Sequence, residues 1–167
     1  MPVDDEMRAF CTAQYRPLVR TMALYTGDAQ LAEDLAQEAL TRAVRDWPKL
    51  RTLASPGAYV HRMAINLAKA HFRRRLTERR ASCRLSAGVE ESTGGPDPAD
   101  VLAVRAAVRA LPPRRRAIVV LRFEACLPLA EIADVLHISI GTVKSQLHDA
   151  VATLRTTLRI EEEHHVH

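Results

Sequence analysis

From Ser86 to Ala99 the chain reads Ser-Ala-Gly-Val-Glu-Glu-Ser-Thr-Gly-Gly-Pro-Asp-Pro-Ala, rich in Gly, Pro, Ser and acid. A segment with so little apolar surface cannot offset the entropy of ordering itself, so it reads as a flexible acidic linker. Whatever hydrophobic core the 167 residues build is therefore divided into parts on either side of it. The boundaries this implies are a first domain over 1–84, a linker over 85–99, a second domain over 100–160 and a disordered tail over 161–167.

Both parts read as helical. Apolar residues make up 47% of the chain but aromatics only 4%, and no stretch alternates β-branched and aromatic residues as a sheet strand does. The expected fold is all-α, two small helical domains. Before the linker, one helix runs from about Asp4 to Tyr25, with Pro17 able to kink or divide it. A second follows Gly27 with Asp28 as N-cap and ends near Trp47-Pro48. Its residues Leu31, Leu35, Ala36, Ala39, Leu40, Ala43 and Trp47 recur at helical spacing. A third starts at Pro56, a favourable first-turn residue. After the linker, Asp100 caps a helix ending near Leu111, and Pro112-Pro113 breaks the chain. Another helix runs from Arg114 to about Cys126, a third from Pro128 to His137, and Ser139 caps a fourth reaching about Arg159.

The net charge is +4, a mild preference for a polyanionic partner. Its distribution says more: from His61 to Arg84 the only acid is Glu78 among Arg62, Lys69, Arg73, Arg74, Arg75, Arg79, Arg80 and Arg84. Cys11, Cys83 and Cys126 form neither a CxxC pair nor a disulfide framework and read as buried, inert thiols. An acidic N-terminus and the lack of any long apolar run point to a reducing cytoplasm and no membrane insertion. The tail Glu161-Glu-Glu-His-His-Val-His167 lacks partners to orient its imidazoles, so no metal site is expected there. No nucleophile–base pair, metal-ligand spacing or phosphate-cradling loop suggests an enzyme or a cofactor.

The sharpest local pattern is Leu129-Ala-Glu-Ile-Ala-Asp-Val-Leu-His-Ile-Ser-Ile-Gly-Thr-Val-Lys-Ser-Gln-Leu147. One short helix buries Leu129, Ile132, Ala133 and Leu136; Ile138 plugs the turn; a second helix turns Val143, Leu147, Ala150 and Leu154 inward. This is a helix-turn-helix, whose second helix enters the major groove of DNA. The opposite face carries Thr142, Lys144, Ser145, Gln146, His148 and Asp149. Thr142 and Lys144 suit phosphates, whereas Ser145 and His148 suit base edges. His137 stands at a turn that ordinarily needs glycine, so a strained but tolerated positive φ is expected there.

At these residues, and in Leu111-Pro-Pro-Arg-Arg-Arg-Ala-Ile-Val-Val-Leu-Arg-Phe123, the C-terminal half resembles both bacterial sigma factors and the DNA-binding domains of response regulators. The N-terminal half decides between them. Ala32-Glu-Asp-Leu-Ala-Gln-Glu-Ala-Leu40 and Ala58-Tyr-Val-His-Arg-Met-Ala-Ile-Asn-Leu-Ala-Lys-Ala-His-Phe-Arg-Arg-Arg75 look like the N-terminal domain of extracytoplasmic-function (ECF) sigma factors. The resemblance runs from about Phe10 to Arg155 and implies a non-enzymatic protein that binds core RNA polymerase and directs it to promoters. It implies that Asp34, Gln37, Glu38 and Arg42 dock on the coiled-coil clamp helices of the β′ subunit, with a further contact to the β flap. It assigns the minus-ten element to the loop Leu50 to Ser55 and the third helix, through Arg51, Ser55, Arg62, Asn66, Lys69 and Arg73. These residues would capture flipped-out bases, offsetting an unstacking cost on the order of a few kcal/mol. Phe72 reads as core, with His71 and Phe72 the available stacking groups, and Thr142 to Asp149 fall to the minus-thirty-five element. The linker serves either as a passive tether or as a mimic of nucleic acid, and an anti-sigma factor is the expected regulator. Two departures stand out: relatives often carry arginine where this chain has Gln146 and Asp149, and Asp149 would repel phosphate while accepting from a cytosine amino group. Ala70, in place of a common acid, makes its stretch more basic. A helix-turn-helix regulator acting without polymerase is the rival, and it leaves the Asp34 and Asn66 faces unexplained.

Overall fold

A computed structural model of the chain describes residues 3–82 and 99–165, with side chains from 4 and up to 159. Its described residues fold into helices α1 (Val3–Thr26), α2 (Ala29–Arg45), α3 (Trp47–Leu50), α4 (Pro56–Ala81), α5 (Ala99–Ala110), α6 (Pro113–Phe123), α7 (Leu129–Leu136) and α8 (Ile140–His165). No strand occurs among them. Most of the linker expected over 85–99 lies outside the described residues, and α5 already begins at its last position.

The first four helices follow from local chemistry. Helix α1 passes through Pro17 without interruption, although proline removes one backbone donor and crowds the preceding turn. It ends where Gly27 adopts φ 74 and donates its amide to the Ala23 carbonyl at 2.8 Å. A side chain at Gly27 would carry strain and would also meet the Arg109 guanidinium. Asp28 then accepts from the Leu31 amide at 3.0 Å as the N-cap of α2, satisfying one of the donors a helix start leaves open. Ala32, Ala36, Ala39 and Ala43 are fully buried, and their small side chains let α2 lie close against α1 and α4. Trp47 closes this layer and packs its ring 5.3 Å from Phe10.

The C-terminal half is built around α6, whose Ala117 to Leu121 are all buried. Asp100, expected as a cap, sits inside the first turn of α5 instead. Ser139 does cap α8, its hydroxyl accepting from the Thr142 amide at 3.1 Å. Helix α8 passes the expected end at Arg159 and remains helical to His165. No Gly or Pro follows Arg159 to stop it, and the run Glu161 to Glu163 is a good helix former. The tail expected as disordered is therefore helical over most of its length, with its last two residues outside the described set.

One continuous core joins the halves, from Leu18, Met22 and Ile65 through Leu111 and Ile118 to Val143 and Ala150. Helix α1 packs on α5 and α6, and α4 packs on α7. Polar contacts pin the seam. Arg20 Nε donates to Glu124 Oε1 at 2.7 Å, Ser55 Oγ to Glu131 Oε2 at 3.0 Å, and Arg116 Nη1 to the Tyr25 carbonyl at 3.1 Å. Arg116 also donates to the carbonyls of Arg109 and Leu111. Helix α1 has no basic residue in its own last turn; α6 supplies that cation to its negative end from across the seam.

Candidate nucleic-acid and polymerase interfaces

Three surfaces gather the residues singled out by sequence. The first is the outer face of α2. Asp34, Gln37, Glu38 and Arg42 are all exposed, because the buried stripe of alanine and leucine takes the opposite side. Glu38 and Arg42 form an i,i+4 pair at 2.6 Å, and Gln30 donates to Asp34 at 3.3 Å. Exposed pairs of this kind hold side chains loosely and are worth about 1 kcal/mol at most, so both acids stay available to a partner. A groove of 380 Å³ between α2 and α4 is lined by Asp34, Glu38 and Arg42 on one wall and Asn66, His71 and Arg74 on the other. Sequence spacing had set Asn66 with the cationic stripe; packing sets it facing the α2 acids as well.

The second surface is the loop before α4 and α4 itself. Arg62 is half-buried, while Asn66, Lys69 and Arg73 are exposed. From Arg73 to Ala81 every α4 residue is exposed, so the arginine-rich end stands off the core as a cationic rod. Phe72 packs on the core, its ring 6.4 Å from Tyr25 and 5.8 Å from His71. Two members of the set already have partners within the chain, and a third sits beside like charges. Arg51 pairs with Glu6 of α1 at 2.9 Å. Ser55 occupies the N-cap position of α4 without capping it and donates to Glu131 of α7 instead. Lys69 sits partly desolvated beside Arg114 and Arg73, and burial first, then those guanidiniums, pull its pKa down.

The third surface is the helix-turn-helix. His137 adopts φ 54, and the Ile138 amide bonds to the Ala133 carbonyl at 3.0 Å. This is the left-handed helix ending that glycine favours, occupied here by histidine. Ile138 packs against the core as the plug, with Val143 and Ala150 fully buried beneath α8. The six residues of the DNA-facing set do not share one narrow stripe. Lys144 and His148 border a 340 Å³ apolar groove with Phe123, Leu129, Leu147 and Val151. Gln146 and Asp149 lie toward α6, where both bond Arg115. Ser145 stands between these flanks, donating its hydroxyl to the Thr142 carbonyl at 3.1 Å, and the Thr142 hydroxyl meets Ser139 at 2.8 Å.

The cysteines correct one expectation. Cys126 is exposed and takes φ 55. The chain needs a left-handed residue to leave α6 so that Leu127 can bury, and that conformation turns the thiol outward. Cys11 is half-buried, and burial pushes its thiol pKa up. Cys83 lies outside the described residues.

Sequence reading also passed over several residues that position these surfaces. Arg116 and Glu131 hold the seam, and Arg115 holds the recognition helix. Buried His61 bonds the Gly57 carbonyl through Nδ1 at 2.9 Å, with Nε2 3.5 Å from the Thr21 hydroxyl. Their partners lie on other elements or, for His61, behind a buried helix face. The one available signal was a histidine recurring on the apolar stripe of α4, since Ala58, His61 and Ile65 are three and four residues apart. Among the described side chains, no cluster of His, Cys, Asp and Glu is arranged to hold a metal. No described helix is long and apolar enough to cross a membrane.

Comparison with known proteins bears on both halves. Residues 12–77 match the family described as sigma-70 region 2, and residues 102–154 match sigma-70 region 4. The RNA polymerase sigma-E factor of Streptomyces antibioticus is 36% identical over 146 residues, spanning 87% of this chain and 80% of its own. The ECF RNA polymerase sigma factor SigL of Mycobacterium tuberculosis is 33% identical over 164 residues, covering 92% and 89%. In fold, the sigma factor RpoE of Bartonella quintana, solved with the anti-sigma factor NepR, superposes with a TM-score of 0.83. That match has 19% identity and covers 93% of this chain and 98% of the other.

Proposed function

The chain belongs to the ECF sigma factors of RNA polymerase, and from that premise we propose how its surfaces divide the work of initiation. Asp34, Gln37, Glu38 and Arg42 dock the core enzyme through the β′ clamp helices, and the C-terminal half docks the β flap. Helix α8 reads the minus-thirty-five element through Thr142 to Asp149. Arg51, Ser55, Arg62, Asn66, Lys69 and Arg73 take the unpaired minus-ten strand. The observation that carries this reading is the α2–α4 groove, where an acidic docking wall faces Asn66 and Arg74. One rigid pair of helices can then grip a protein on one side and a strand on the other, so that polymerase binding presents the strand-capturing helix. Arginines along the protruding end of α4 supply phosphate attraction without sequence preference.

The seam adds an order of events. Ser55 is bonded to Glu131 across the seam, so a minus-ten strand can use Ser55 only after that bond is released. Core polymerase, contacting both halves, is the agent that holds them apart. A cytoplasmic location, the absence of a cofactor and control by an anti-sigma partner belong to the same reading.

The experiment is a charge reversal. With Asp34→Lys and Glu38→Lys together, core polymerase capture by the full-length chain should fall at least tenfold while its duplex DNA binding is unchanged. Specific open complexes should form with wild-type protein on a promoter library. Promoter binding with no recruitment of polymerase would mark the chain as a separate helix-turn-helix regulator.

A further inference from the structure

Gln146 and Asp149 stand on the recognition helix without the arginines that the family resemblance leads one to expect, and a carboxylate there should repel phosphate. The structure resolves that conflict from outside the helix-turn-helix. Arg115, on α6, donates Nε to Gln146 Oε1 at 3.1 Å and Nη2 to Asp149 Oδ2 at 3.1 Å. Gln146 and Asp149 are three residues apart, so their side chains leave α8 on neighbouring turns. A single planar guanidinium spans both with its fixed fork of donors, which a lysine could not do. The Arg115 side chain keeps 30% of its surface exposed and Asp149 keeps 50%, so the pair lies open at the surface and does not belong to the core.

We propose that Arg115 is a positioning residue of the DNA-reading face, supplying from α6 the cation that positions 146 and 149 lack and fixing how its two polar neighbours present themselves to the major groove. The inference rests on the assignment of α8 to duplex recognition. Its chemistry is specific. With Oε1 of Gln146 occupied by Arg115, the amide turns its NH2 outward as a donor, suited to the acceptor edge of guanine or to thymine O4. With Oδ2 of Asp149 occupied and its charge offset, Oδ1 remains as an acceptor for an exocyclic amino group of cytosine or adenine. A lone carboxylate facing phosphates thereby becomes half of a neutral donor–acceptor reading unit.

The test is base selection by the holoenzyme, formed from core polymerase and full-length chain, on promoters randomised across the upstream element. Wild-type protein, Arg115→Ala, Arg115→Lys, Asp149→Ala and the Arg115→Ala/Asp149→Ala double variant are compared. Arg115→Ala should weaken binding to the selected element at least tenfold and blur the base preference at adjacent positions. Arg115→Lys should restore most of the affinity but not the preference. The double variant should bind no worse than Asp149→Ala alone, because the repelling carboxylate is gone. A uniform loss across all sequences that multiplies with the Asp149→Ala effect would reduce Arg115 to a phosphate contact and overturn the proposal. Unchanged affinity and preference in Arg115→Ala would overturn it as well. A wild-type holoenzyme that selects no bases in the upstream element would instead bring down the α8 assignment, and the proposal with it. Asp149→Ala and Arg115→Lys keep the comparison decisive even where Arg115→Ala fails to fold.

Discussion

The N-terminal and C-terminal halves hold the residues proposed to meet DNA in opposite states. On the helix-turn-helix, Lys144, Ser145, His148 and Asp149 stand exposed on a helix whose cap, turn and buried stripe are complete. Gln146 and Asp149 of that helix are tied to Arg115, on the same half. Around α4, by contrast, Arg51 is tied to Glu6 and Ser55 to Glu131, while Lys69 stands exposed beside the like charge of Arg114. On the proposed assignment, a duplex meets α8 as it stands, whereas a single strand displaces Glu6 and Glu131 before it meets Arg51 and Ser55. The two surfaces differ because the ties of α8 to Arg115 stay within its own half, whereas the α4 surface includes a bond across the seam, from Ser55 to Glu131.

Core truncation gives the strongest way to break this contrast. Leu18 and Ile118 are both fully buried, one in each half, and changing either to Ala should cost about 3 kcal/mol. Because the core is continuous, both variants should shift one common unfolding transition in denaturant. Two separate transitions, each moved by only one variant, would show that the halves fold independently.

Arg116→Ala comes next. It removes three hydrogen bonds to carbonyls, including the one to Tyr25 that crosses the seam, and should cost about 2–3 kcal/mol. It should also move the alkaline titration of Tyr25 to higher pH, since burial raises that pKa and the Arg116 cation is what partly holds it down. Equilibrium unfolding and tyrosine absorbance measure the two effects.

His61 gives a pH dependence confined to the N-terminal half. Burial lowers its pKa below the ordinary value of 6.5, against the opposing Gly57 carbonyl bond. The folded state therefore binds the proton less readily than the unfolded state, and stability is lost as pH falls below about 6.5. A denaturation midpoint that drops between pH 7 and pH 5 in wild-type protein should drop less in His61→Gln.

Smaller still in energy, but closest to function, is Glu124→Ala with Glu131→Ala. An ion pair as exposed as Arg20–Glu124 contributes at most about 1 kcal/mol, so the double variant should remain folded. Freed of both contacts, Ser55 and α4 should bind single-stranded promoter DNA more tightly, and small-angle scattering should report a larger radius of gyration. Unchanged strand affinity would show that the seam does not restrict α4. The least effect is a gain: His137→Gly relieves a left-handed residue and should raise stability by about 1 kcal/mol or less, without altering DNA binding.

Sequence alone determined the all-helical class and the helix-turn-helix down to its cap and its left-handed histidine. Each of these is written in spacings of a few residues: apolar positions three and four apart, Asp28 before α2, Ser139 before α8, His137 where a helix must end. It also picked out the acidic face of α2, since polarity opposite a buried stripe is local information. Tertiary structure alone decided that Asn66 shares a groove with the α2 acids, that Ser55 binds Glu131 rather than capping α4, and that Cys126 faces solvent. It alone placed Arg115 between Gln146 and Asp149, turning an apparent defect of the recognition helix into a paired group. Those contacts join residues far apart in the chain, and no spacing encodes them. They follow from how amphipathic helices, each free to pack in several ways, settle against a common core.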